Sequence, residues 1–386
     1  MRQLFFFSFV LTFFSLLAAC NTPENTPADT SDQGWTLGPF VKVDSANPVL
    51  TPGSNRFIDP ILNKTVSWEE QFVYNPAAIV KDGKVYIIYR AEDKIGKTNG
   101  TSRLGLAYSD DGVNFTRMPE PVLYPDNDSL KKYEWEGGCE DPRIVEDEHG
   151  RYILTYTAYD GITARMFVAT STDLKKWTKH GSAFKMVRNG DFVKNWSKAG
   201  SIVCRQEGEK FVAAKINGKY WMLWGESSIY AATSDDLINW VCIEEQDPSK
   251  IRYDSLRKYQ AFKEVFSTRA GKFDSYLVES GPQAILTEKG ILFIYNARND
   301  PDKGDTTLAP GTYAGGQVLL DKNDPTKVIN RTDSNFIRPD RPYEITGYIN
   351  NVCFLEGLVY FKGKWLLYYG TADSNIAVAV HDPKAH

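Results

Sequence analysis

Along this chain, apolar and polar positions alternate in a pattern that returns five times. A strand-like run folded about a glycine recurs around Gly83, Gly150, Gly218, Gly290 and Gly363, a spacing of about 70 residues that marks one supersecondary unit repeated. Tyr86, Ile88 and Tyr89 in the first copy correspond to Tyr152, Leu154 and Tyr156 in the second, and to Trp221, Leu223 and Trp224 in the third. Apolar and aromatic residues on both sides of a short Gly, Asp or Asn turn predict a β-hairpin. Each hairpin leads into another strand-like segment. Three of these segments run on through Ser109-Asp-Asp-Gly-Val-Asn-Phe115, Ser171-Thr-Asp-Leu-Lys-Lys-Trp177 and Ser234-Asp-Asp-Leu-Ile-Asn-Trp240. The recurring Asp and aromatic residues are read as structural, the ring packing over the sheet edge to close one unit against the next.

An isolated hairpin pair cannot bury both of its faces, whereas four-stranded units stacked radially bury both and protect their edges. The pattern therefore predicts an all-β, five-bladed β-propeller over residues 34–386. A β-sandwich is the alternative, but it does not account for five nearly equal repeats. One helix is expected, over Ser255–Ser267, where Leu256, Tyr259, Phe262 and Phe266 follow an i, i+3, i+4 rhythm.

The start of the chain does not fit the repeat. Arg2 precedes a nearly unbroken apolar run from Leu4 to Leu17, and Leu17-Ala-Ala-Cys20 places small residues before a cysteine. Residues 1–20 read as a bacterial lipoprotein signal peptide with Cys20 as the lipidated residue, and an ordinary secretory peptide is the alternative. Polar residues 21–33 read as a flexible tether. This predicts an exported protein of the bacterial envelope, held to the membrane through an N-terminal lipid anchor. A net charge of -4 offers no basis for a nucleic-acid partner. Cys139, Cys204, Cys242 and Cys353 lie in or near apolar runs, leaving both buried thiols and disulfides open. The four histidines form no metal-binding spacing with them, so neither metal nor cofactor is expected.

Candidate chemistry lies where charge interrupts the repeat. The strongest departure is Glu136-Gly-Gly-Cys-Glu-Asp-Pro-Arg143. Pro142 restricts Asp141 to an extended or turn conformation, and Arg143 supplies a rigid fork of donors. Other interruptions are Asn75-Pro76, Arg90-Ala-Glu-Asp93, Arg103, Lys215, Trp224-Gly-Glu226, Glu279-Ser-Gly-Pro282, Tyr343-Glu344 and Asp373. Glu92 and Asp302 read as solvated turn charges. Glu226 and Glu279 border apolar strands, where desolvation would be costly without partners. Carboxylates gathered with Arg, Lys, Tyr and Trp suit glycoside cleavage, which needs one group to protonate the leaving oxygen and another to activate water or act as nucleophile. No Gly-x-Ser-x-Gly elbow is present for serine catalysis.

Several motifs in order, Glu140-Asp-Pro-Arg143, Gly281-Pro282, Arg341-Pro-Tyr-Glu-Ile-Thr-Gly347, Asn351-Val-Cys-Phe354 and Tyr369-Gly-Thr-Ala-Asp373, resemble glycoside hydrolase family 130. The resemblance implies a propeller acting on β-mannosides, with Asp141 as the acid, working through a sugar hydroxyl. It also implies that Asn75, Arg90, Asp93, Arg103, Arg143, Tyr343, Glu344 and Asp373 surround the bound mannose. The family contains phosphorylases and hydrolases. Where the phosphorylases carry phosphate ligands, this chain has Lys198-Ala-Gly and Asn296 in place of a histidine, and it offers Glu226 and Glu279 instead. A carboxylate repels phosphate but can serve as general base for water. The expectation is an inverting, exo-acting β-mannosidase resembling the exported Bacteroides-type lipoproteins that act on β-1,2-linked manno-oligosaccharides. Its base is Glu279 or Glu226, with Lys215 as a further binding residue. A β-mannoside phosphorylase and a noncatalytic sugar-binding lipoprotein are the alternatives.

Overall fold

The five glycine turns start the hairpins. In a computed structural model, which describes residues 34–95, 100–251 and 262–385, Asp82-Gly83, Asn217-Gly218 and Lys362-Gly363 all have positive φ at both positions (50°/71°, 53°/82° and 49°/82°). These are the backbone angles whose twist matches the flanking strands in a two-residue hairpin. They join Lys81 to Lys84, Ile216 to Lys219 and Phe361 to Lys364.

Each hairpin extends into an antiparallel sheet. The first contains Phe72–Lys81, Lys84–Glu92, Ser102–Ser109 and Thr116–Arg117. The second contains Gly138–Glu146, Tyr152–Tyr159, Ala164–Ser171 and Thr178–Ser182. In the third, Gly200–Glu207 pairs at its start with Lys219–Trp224, followed by Ser228–Ser234 and Trp240–Cys242. The fourth is built on Ile291–Arg298 and Tyr313–Leu320, with Val328–Arg331 at one edge and Leu277–Ser280 and Ala284–Leu286 at the other. The fifth comprises Cys353–Phe361, Lys364–Thr371 and Asn375–His381, and is completed by Val41–Lys42 from the other end of the chain.

Apolar cores lie between successive sheets. Leu104 and Leu106 of the first sheet pack with Leu154 and Phe167 of the second, and Val168 of the second with Met222 and Trp224 of the third. Leu223 joins Phe293, Ile294 joins Leu355, and Val359 and Tyr368 return to Ile87 and Tyr89 of the first sheet. The Ser-Asp turns recur as sequence spacing predicts. Oγ of Ser109, Ser171 and Ser234 accepts from the backbone N–H groups of the residues two and three positions on. The closing aromatics then cap the edges. Phe115 stands edge-on to Tyr368 of the fifth sheet at 5.7 Å, and Trp240 is fully buried.

The structure corrects one element. The expected helix at Ser255–Ser267 falls partly outside the described residues, and Glu264–Ser267 is a strand paired with Ser228–Tyr230. Of its apolar positions, Phe262 and Phe266 lie among the described residues and enter two different cores. The cysteines at 139, 204, 242 and 353 are buried free thiols. The expected signal peptide, Cys20 and tether lie outside the described residues.

Candidate active site

The first strands of three sheets carry β-bulges at equivalent places: between Tyr74 and Pro76, Glu140 and Arg143, and Leu355 and Gly357. In the fourth sheet Gly281-Pro282 interrupts the same strand. A bulge re-aims a side chain and ends local pairing. Here Asn75 and Asp141, each followed by proline, adopt φ of 48° and 46°. Asp141 thus takes the left-handed turn option rather than the extended one. Gly370 makes room beside them, because a Cβ there would lie 2.5 Å from Asn75 Oδ1.

These side chains border a cavity of about 350 Å³ to which all five sheets or their loops contribute: Asn75 and Arg90, Asp141, Lys198 and Glu226, Glu279 and Arg298, and Asp373. Tyr74, Tyr313, Tyr348 and Phe354 complete an aromatic lining. A larger cavity of about 530 Å³ beside Phe40–Lys42 and Asn335–Arg338 contains none of these groups.

Asp141 is held as an anion. Asn75 Nδ2 donates to its Oδ1 at 2.9 Å, Arg90 Nη1 lies at 3.1 Å, and Lys198 Nζ lies 3.5 Å from Oδ2. Burial alone would raise its pKa, but Arg90, Lys198 and Arg143 outweigh burial and bring it below the ordinary carboxylate range. The neighbouring carboxyls behave oppositely. Burial lifts Glu279 and Asp373 to about 7, against the opposing charges of Lys198 and Arg90 respectively. Glu140, which shares Arg90 at 2.9 Å, is also raised by burial to about 7.

Lys198 is the hub that sequence reading left outside the site. Its Nζ lies 3.2 Å from Glu279, 3.5 Å from Asp141 and 3.8 Å from Glu226. Burial opposes its charge, but Glu279, Glu226 and Asp141 together hold its pKa well above the lysine range. Glu226 and Glu279 also meet through a backbone bridge. Because Asp141 Oδ2 and Glu279 Oε1 share one nitrogen, they can be no farther apart than the sum of their distances to it. That bound falls at the lower end of the roughly 6.5–9.5 Å separation of inverting pairs and sets a maximum, not a value, for the distance between these two oxygens.

Several expected site residues lie elsewhere. Lys215 is exposed, rests on the Tyr220 ring and borders a different depression. Its two-residue strand, Lys215–Ile216, is the first arm of the third hairpin, and its side chain borders that depression rather than the carboxylate cavity. Arg103 is fully buried, bound at 2.6 Å to both Asp59 and Asp93. These partners neutralise it and also occupy Asp93. Glu344 is fully buried, ion-paired with Lys42 at 2.6 Å, and accepts from Tyr369 Oη; Tyr343 accepts from Asn47. Arg143 lies behind the wall, donating to the backbone oxygens of Asp141 and Ser280 and paired with Glu356 at 3.0 Å. None of these six lines the cavity. Glu92 is likewise no solvated turn charge, being buried and paired with Arg90 at 2.6 Å.

The lining can hold a sugar ring between aromatic faces and polar donors while carboxyls in different protonation states face it. That is the equipment for acid–base cleavage of a glycoside. The family model of glycoside hydrolase family 130, described as beta-1,4-mannooligosaccharide phosphorylase, matches residues 44–384. A 1,2-beta-oligomannan phosphorylase of Thermoanaerobacter sp. (strain X514) is 33% identical over 349 residues, covering 88% of this chain and 96% of that protein. A glycosyl hydrolase structure from Bacteroides ovatus is 46% identical with a TM-score of 0.85, covering 91% of this chain and 96% of its own. A further structure is 45% identical with the same TM-score, covering 91% and 95% of the two chains. It is described under glycoside hydrolases of this family that target beta-1,2 mannosidic linkages in Candida mannan. With this match across nearly its whole length, the chain belongs to glycoside hydrolase family 130, whose members are enzymes acting on mannosides.

Proposed function

We propose that the protein is a five-bladed β-propeller enzyme that hydrolyses β-mannosides with inversion, releasing mannose from β-1,2-linked manno-oligosaccharides. The reading rests on one observation above all: Glu279 and Glu226 face Asp141 across Lys198 in a single cavity. Asp141 is the acid and passes its proton through a sugar hydroxyl. Since it is ionised at rest, it must first take up a proton from solvent, which then passes through the sugar hydroxyl to the leaving oxygen. Glu279, whose carboxyl titrates near 7, is poised to be the base at neutral pH, because general-base efficiency is greatest when the pKa lies near the working pH. Five sheets packed in sequence, the last against the first, support the propeller.

Phosphorolysis is the second reading, favoured by the curated relative and by Lys198 and Arg298 on the cavity wall. Against it, Lys198 is already surrounded by three carboxylates. Asn296 is turned away, exchanging hydrogen bonds with the Leu355 backbone. The test incubates β-1,2-, β-1,3- and β-1,4-mannobiose with and without inorganic phosphate. Hydrolysis gives mannose at a phosphate-independent rate, highest for the β-1,2 linkage. Accumulation of mannose 1-phosphate would overturn it.

A further inference from the structure

The other two cavity-lining cations have carboxylate partners. Arg90 is paired with Glu92, Glu140 and Asp141, and Lys198 with Asp141, Glu226 and Glu279. Arg298 differs: among the described residues it has no ion pair and no side-chain hydrogen bond, and its Nε is buried without an acceptor. A buried donor left unsatisfied is costly, so such a group marks a place where an acceptor is expected. Arg298 is also held in place. Its guanidinium carbon lies 4.7 Å from the Tyr276 ring and 5.4 Å from the Tyr313 ring. With two aromatic rings against it, the guanidinium is positioned to offer a ligand its N–H donors.

We propose that Arg298 is a specificity-determining residue that hydrogen-bonds the hydroxyls of the leaving sugar, the residue on the far side of the scissile bond. The proposal rests on the reading of the cavity as a β-mannosidase site. Two observations favour a neutral polyol over an anion, and a third concerns its position. Arg298 shares its cavity with Asp141, Glu226, Glu279 and Asp373, which oppose entry of a further negative charge. Tyr313 and Phe354, 6.1 Å apart, line the same cavity and supply the apolar surface that a sugar ring covers. Arg298 and Glu279 also project from paired strands of the fourth sheet, where Leu277 opposes Arg298 and Glu279 opposes Asn296. A sugar bound at Arg298 therefore lies outside the Asn75–Arg90–Asp141 cluster.

The experiment compares the full-length enzyme with Arg298→Met and Arg298→Lys on two substrates, β-1,2-mannobiose and an aryl β-mannoside whose leaving group has no sugar hydroxyls. Both are assayed with and without phosphate. A site built around a hydroxyl discriminates strongly against an analogue lacking it. Loss of a charged hydrogen bond predicts that Arg298→Met lowers kcat/KM for mannobiose by about 10- to 100-fold, with the aryl mannoside changed by less than about threefold. Arg298→Lys should recover part of the loss. Equal loss on both substrates overturns the proposal, as does loss confined to a phosphate-dependent reaction, which would make Arg298 a phosphate ligand. Calorimetric titration with mannobiose and methyl β-mannoside tests binding independently of turnover. Selective loss of disaccharide affinity supports the assignment even if the enzyme proves not to be a hydrolase, and unchanged disaccharide affinity sinks it.

Discussion

At the scale of single residues, charge partnership decides role. Glu279 and Asp141 are both buried carboxyls in one cavity, yet burial dominates in Glu279 and raises it to about 7, while cations dominate in Asp141 and lower it. Lys198 is their shared neighbour. If Glu279 is the base, its ionised form is required, so kcat/KM should fall as pH drops below about 7. Lys198 favours the Glu279 carboxylate, and removing its charge should raise the Glu279 pKa further. A pH–rate profile of Lys198→Met is therefore expected to show its acidic limb displaced to higher pH. An active variant whose limb stayed in place would exclude Glu279 as the titrating base.

Among elements, the hairpin turns were the most readable feature of the chain because their requirement is local. A two-residue type I′ turn needs both residues at positive φ, and an Asp-, Asn- or Lys-Gly pair between apolar runs announces it. Gly363, at φ 82°, has open space where a Cβ would sit. Gly363→Ala therefore carries only the left-handed backbone cost of about 1 kcal/mol, which equilibrium urea unfolding should register with activity retained. Stability equal to the parent would show that this turn relaxes freely. The segment at 255–267 misled for the complementary reason. A helical rhythm and an extended segment whose two aromatics, Phe262 and Phe266, enter different cores can share the same few apolar positions, and only the pairing of Glu264–Ser267 with Ser228–Tyr230 separates them.

For the whole molecule, closure depends on joining the two ends of the described chain. Val41–Lys42 pairs with Ala379 and Val380, and Lys42 reaches Asp340 and Glu344, each at 2.6 Å. The Glu344 carboxyl is fully buried, so Lys42→Met would strand a buried charge. Breaking such a pair typically costs about 3–5 kcal/mol. A marked fall in Tm is expected, and thermal unfolding checks it; a Tm unchanged from the parent would show that Asp340 and Glu344 find other partners.

The sequence by itself determined the repeat, the hairpins, the Ser-Asp turns and the set of charged residues from which a site could be drawn. Each depends on neighbours within a few positions. It also pointed to Asn75, Arg90, Asp141, Glu226, Glu279 and Asp373, which line one cavity. What only the tertiary structure decided is which charges face that cavity and which are neutralised behind it. Arg103 is taken by Asp59 and Glu344 by Lys42, partners remote in sequence. Lys198 enters from a stretch with no strand pattern, and Arg298 is singled out only by having no such partner among the described residues. Electrostatic fate is set by distance in space, and a linear pattern does not contain it.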